Sequence, residues 1–118
     1  MIIHENRIYS TIFVNEFIMT GSSDCTIKIM DQNFQVVHTV KHKTAVIMLV
    51  YSAKLRMLAT GVFSDIILYD SNFELQKQIM AHNDMITGLV FIDKHSLLVS
   101  SSLDRQVIVW CLKKYKKL

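Results

Sequence analysis

The chain has 118 residues, 51% of them hydrophobic and 19% charged, which fits one small packed domain and excludes a disordered chain or two separately cored domains. Its net charge of +3 is concentrated in Lys113, Lys114, Lys116 and Lys117, leaving 9 basic against 10 acidic side chains elsewhere. No basic stripe for phosphate runs along the body, and the longest apolar stretch, Ala45 to Tyr51, is far short of the roughly 20 residues that span a bilayer.

The chain opens Met1-Ile2-Ile3-His4-Glu5, with no basic segment ahead of a long apolar block, so no secretory signal is expected. The next recurring element is Phe17-Ile18-Met19-Thr20-Gly21-Ser22. It returns 40 residues later as Met57-Leu58-Ala59-Thr60-Gly61-Val62, and again as Leu97-Leu98-Val99-Ser100-Ser101-Ser102. His42 and His82 keep the 40-residue step, whereas His4 precedes His42 by 38. Each unit has short β-branched or aromatic runs separated by small polar clusters. In the second unit the predicted strands are Ala45 to Tyr51, Met57 to Thr60, Ile66 to Tyr69 and Leu75 to Met80. The continuous apolar run Val46 to Tyr51 is expected to be an innermost strand buried on both faces. With no Pro and three Gly, most turns fall to Asn, Asp and Ser. The class expected is all-β, with four antiparallel strands per unit and approximate repeats at 4–41, 42–81 and 82–118.

Thr20 to Asp31 reads as strand, tight turn, strand and terminal dipeptide, and Ser100 to Cys111 repeats that phrase, with Asp104 on Asp24 and Trp110 on Met30. The pairs Lys41-His42 and Ala81-His82 open units, and Met30-Asp31, Tyr69-Asp70 and Trp110-Cys111 close the inner phrase. This arrangement resembles the WD-repeat β-propellers, whose repeats begin near Gly-His and close with Trp-Asp. The resemblance covers nearly the whole chain and implies three propeller blades in a partial ring. It also implies that His82, Ser100, Asp104 and Trp110 form the hydrogen-bonded structural tetrad of a blade. The first unit offers His4, Thr20 and Asp24 with Met30 for Trp, and the second offers His42, Thr60 and Tyr69. Both networks are expected to be degraded, with Ser64 or Asp65 left to compensate in the second unit, where the turn is one residue shorter.

His82, Ser100 and Asp104 are also the residue types of a hydrolase triad, but Ser100 lies within a strand run and not on an exposed, strained turn. The tetrad reading is preferred, and no catalytic residue is assigned. Cys25 and Cys111 stand too far apart in sequence for a disulfide framework or a CxxC knuckle, so neither metal nor cofactor is expected and a reducing, cytoplasmic compartment fits. The second unit, with Tyr51-Ser52, Thr60-Gly61 and Phe63 to Ile66, also resembles WD-repeat proteins of cilia and the cytoskeleton.

Propellers close with about four to eight blades, so three should leave sticky outer faces. These faces would be covered by further copies of the chain, by blades from another polypeptide, or by the rest of a longer propeller. The third unit is expected to lack a full outer strand, since only Leu112 to Leu118 follows Trp110. The function expected is a non-enzymatic protein-interaction or scaffolding module, with Lys43, Asn83, Asp84 and Arg105 as candidate partner contacts on loops beside the tetrad positions. The alternative is a binder of nucleic acid or acidic surfaces through the lysine-rich C-terminal segment, which is more simply a solvated edge.

Overall fold

The computed structural model describes all 118 residues. The first sheet contains β1 (Ile8–Val14), β2 (Phe17–Ser22), β3 (Thr26–Met30) and β4 (Val36–Lys41). The second contains β5 (Val46–Ser52), β6 (Met57–Val62), β7 (Asp65–Asp70) and β8 (Leu75–Met80). The third contains β9 (Ile86–Ile92), β10 (Leu97–Ser102), β11 (Val107–Cys111) and the two-residue β12 (Lys116–Lys117), with a 3-10 turn at Asp93–His95. Every pairing is antiparallel and joins consecutive strands. The fold is all-β, in three four-stranded blades.

The three registers align the blades without reference to the sequence step. Gly21 faces Ile27 across β2 and β3, Gly61 faces Ile66, and Ser101 faces Val107. On the inner strands Ile8, Val46 and Ile86 take equivalent places, pairing with Ser22, Val62 and Ser102 just before a bulge. The 38-residue interval in the first unit follows from its tighter β1–β2 turn, Asn15-Glu16, where the later blades have four residues.

Two apolar clusters hold the blades together, one at each junction. The first joins Val14, Met19, Ile27 and Ile29 to Val46, Leu49, Leu58 and Tyr69, and the second joins Ala59, Ile66 and Leu68 to Ile86, Leu98 and Trp110. β5 packs against both β1 and β9, as its unbroken apolar run requires. Its Val46 and Leu49 enter the first cluster, while Met48 and Val50 pack on the second. Val46 sits over Gly21, where a Cβ would lie 2.7 Å from its Cγ1, and Ile86 sits over Gly61 in the same way, 3.2 Å from Cγ2. Glycine is needed at Gly21 for this close approach, less so at Gly61; neither residue has a positive φ.

The turns depart in part from the sequence expectation. Asp does brace them: Asp31 Oδ1 accepts from the N–H groups of Asn33 and Gln35, and Asp70 Oδ1 from those of Asn72 and Glu74. The left-handed positions, however, fall on Phe34, Phe63, Phe73, Arg105 and Tyr115 as well as on Asn15 and Ser96. With glycine absent, Phe34 and Phe73 take the positive φ in the turns that Asp31 and Asp70 brace, and Tyr115 takes it in the equivalent turn of the third blade. Cys111 stands where Asp31 and Asp70 stand, so the loop before β12 lacks that brace. The third outer strand is present, though limited to Lys116 and Lys117, which pair with Cys111 and Trp110.

Candidate functional site

The third blade brings His82, Ser100, Asp104 and Trp110 into one chain of hydrogen bonds. Trp110 Nε1–H can only donate, so Ser100 Oγ accepts there at 2.9 Å and its own proton goes to His82 Nε2 at 2.7 Å. His82 therefore carries its proton on Nδ1 and donates it to Asp104 Oδ2 at 2.8 Å. The backbone N–H groups of Asn83 and Gln106 add further bonds to the carboxylate. Ser102 Oγ accepts from the Asp104 N–H at 3.0 Å and fixes the turn itself. Sequence reasoning did not single out Ser102, although Ser22 and Ser102 both stand two residues before the turn Asp, and Ser22 Oγ makes the same bond to Asp24.

The first network is degraded only at its fourth position, where Met30 replaces the indole. His4 Nδ1–H donates to Asp24 Oδ2 at 2.8 Å and Thr20 Oγ1–H donates to His4 Nε2 at 2.6 Å, matching the third blade in everything but the indole. Thr26, not anticipated from sequence, donates its hydroxyl to Asp24 Oδ1 at 2.6 Å. Met30 is buried and has no donor to offer Thr20.

The second blade is the one that departs. Its β6–β7 turn is reduced to Phe63-Ser64, and neither Ser64 nor Asp65 reaches His42; Asp65 Oδ2 instead accepts from Gln78 Nε2 at 3.2 Å. Thr60 Oγ1 donates to the Ile67 carbonyl at 3.0 Å, so His42 turns to Tyr69, whose hydroxyl lies 3.1 Å from Nε2. Burial without a charged partner lowers the His42 pKa and pushes the Tyr69 pKa up to about 12.

In the carboxylates of the first and third blades, hydrogen bonds outweigh burial. Burial alone would raise the Asp104 pKa, but bonds from the N–H groups of Asn83 and Gln106 and from His82 outweigh it and hold the pKa at about 2. Asp24 is held still lower by Thr26, His4 and the N–H of Glu5, again against the effect of burial. Stability from these contacts is complete above the ordinary carboxylate value of 3.8 and is lost as pH falls through the folded values. Urea midpoints measured from pH 5 to pH 2 should therefore fall steadily. Asp104→Asn should lower the midpoint at pH 5 and flatten the fall; an unchanged slope would show that Asp104 does not contribute.

A hydrolase role for His82, Ser100 and Asp104 requires an accessible hydroxyl. Ser100 is fully buried, and the indole occupies the oxygen that a substrate would have to approach. The candidate contacts Lys43, Asn83, Asp84 and Arg105 are all exposed. The β8–β9 loop that carries Asn83 and Asp84 is tied to the β10–β11 turn that carries Arg105 by the Asn83 N–H on Asp104 and Ser102 Oγ on the Asp84 carbonyl. Lys43 occupies the equivalent loop between the first and second blades. In the lysine-rich segment Lys113, Lys114, Lys116 and Lys117 are exposed, and the last two form the edge strand β12.

The family model for the WD domain, G-beta repeat, matches residues 73–111, the span that includes the whole third network. Residues 73–111 therefore carry a WD repeat. A 50-residue stretch, 42% of the chain, is 46% identical to the 26S proteasome regulatory subunit RPN14 of Saccharomyces cerevisiae and covers 12% of that protein. The structure superposes on that of U3-55K and on the crystal structure of the RRP9 WD40 repeats, each with a TM-score of 0.87 and 21% identity over 98% of the chain. The chain covers 39% and 38% of those two structures, so it spans about two fifths of the structures whose fold it shares. No helix in it is long and apolar enough to cross a membrane.

Proposed function

We propose that this chain is a protein-interaction scaffold of the cytoplasm whose principal contacts are the two outer faces of its blade array. The observation that supports this is a single structural position buried twice and exposed once. Ile27 and Ile66, each under the next blade, are 1% and 0% exposed, whereas the equivalent Val107 is 69% exposed. The opposite end repeats the pattern: Val46 and Ile86 are 0% exposed and Ile8 is 50% exposed. Val90 and Ile92 extend the trailing face of the third blade, and Phe13 the leading face of the first. Apolar faces of this kind mark contact surfaces.

The chain's own junctions indicate what covers these faces: a trailing face takes the leading face of another blade, from a second copy, from another polypeptide or from the rest of a longer propeller. Lys43, Asn83, Asp84 and Arg105 would then add contacts at the loop rim. The mass of the chain in solution should exceed 13.7 kDa and rise with concentration, and Val107→Glu should return it to the monomer. A monomer at every concentration would overturn self-association as the means of covering these faces.

A further inference from the structure

In the first and third blades the loop histidine gives Nδ1–H to a carboxylate of its own sheet, Asp24 or Asp104, at 2.8 Å. The second blade has no such carboxylate, because its shortened turn carries Phe63-Ser64 and Asp65 is engaged by Gln78. His42 bonds Tyr69 through Nε2, and no hydrogen bond reaches its Nδ1. The space beside His42 is open. It forms a cleft of about 580 Å³ lined by Lys41, His42, Lys43, Thr44, Asp65 and Gln78, among others. Lys41, Lys43 and Thr44 are exposed at its rim.

We propose that this cleft binds a carboxylate presented by an acidic peptide segment of a protein partner, in the place on His42 that Asp24 and Asp104 hold on His4 and His82. The proposal rests on the scaffold reading and specifies the chemistry of one docking segment. His42 Nδ1–H donates to the incoming carboxylate, and Lys41 and Lys43 supply the positive field that draws it in. Asp65, which also lines the cleft, disfavours a doubly charged anion, so a carboxylate suits the cleft better than a phosphate. A bound carboxylate also stabilises protonated His42, against the lowering that burial now imposes. The other charged groups facing the cleft are Lys41, Lys43 and Asp65, beside the Tyr69 hydroxyl, and the imidazole is the group to follow between about pH 8 and pH 5.5. Binding should therefore tighten as pH falls across that range.

The probe is N-acetyl-Glu-Asp-Glu amide, with N-acetyl-Gln-Asn-Gln amide and inorganic phosphate as comparisons, followed by the ring and backbone NMR signals of the full chain. The acidic peptide is expected to shift His42 saturably, more tightly at pH 5.5 than at pH 8, and the neutral peptide is not. Lys43→Glu, at an exposed position that leaves folding intact, should weaken binding at least tenfold, and His42→Phe should abolish it. The proposal is overturned by an absent or non-saturable shift at His42, or by an equal response to the neutral peptide. Tighter binding of phosphate, or a response centred on Lys113 to Lys117 that survives Lys43→Glu, would overturn it as well. Failure of the scaffold reading is seen separately, in the solution mass.

Discussion

Trp110→Ala is expected to destabilise the chain by about 3–5 kcal/mol, the range for truncating a large buried aromatic side chain. Trp110 belongs to the cluster between the second and third blades, so its loss opens a cavity at that junction. It also removes the donor to Ser100 Oγ, leaving a fully buried hydroxyl with one bond fewer. Trp110→Phe retains most of the ring and loses chiefly the hydrogen bond, so it should cost about 1–2 kcal/mol. Urea unfolding of the two variants separates packing from hydrogen bonding. Equal losses would mean that the indole acts through its N–H alone, and a small loss in both would mean that the junction does not depend on Trp110.

The glycines beneath the inner-strand residues should respond unequally to the same change. Gly21→Ala places a Cβ 2.7 Å from Val46 Cγ1, a branched side chain with nowhere to move in a fully buried site, and should cost about 1–3 kcal/mol. At Gly61 the nearest atom, Ile86 Cγ2, lies at 3.2 Å and needs to yield only slightly. The stiffer unfolded chain contributes about 0.4–1 kcal/mol in the opposite direction, so Gly61→Ala should be close to neutral. Val46→Ala combined with Gly21→Ala should recover part of the loss, and additive costs would show that the two side chains do not meet.

Much of this architecture is legible in the sequence because the repeat fixes its own phase. Thr20, Thr60 and Ser100 lie at one register position in three blades, and the alternation around them sets which side chains face each junction. The third network is legible for the same reason, since His82, Asp104 and Trp110 sit at fixed offsets from Ser100. What remains hidden depends on local geometry that periodicity does not carry. The left-handed φ of Phe34, Phe73 and Tyr115 has no propensity signal, because aromatic residues do not favour it. The fate of His42 is decided by one missing residue in the β6–β7 turn, which removes the carboxylate and redirects both Thr60 and the imidazole. Thr26 is hidden differently. It looks like an ordinary strand residue until the turn folds its hydroxyl back onto Asp24. The equivalence of Ile8, Val46 and Ile86 is blurred by the shorter first turn and by the bulge that follows each of them.

The most direct test of a leading-to-trailing contact is the solution mass of two complementary variants, measured apart and then mixed. One carries Ile8→Glu and Phe13→Lys on the leading face, and the other carries Val90→Lys and Val107→Glu on the trailing face. Each alone should be a monomer, because a head-to-tail contact needs both faces intact. An equimolar mixture retains one good face of each kind and should form a 1:1 dimer of about 27 kDa, twice the mass of the chain. Self-association of either variant alone, or a mixture that stays monomeric, would contradict the pairing of these faces.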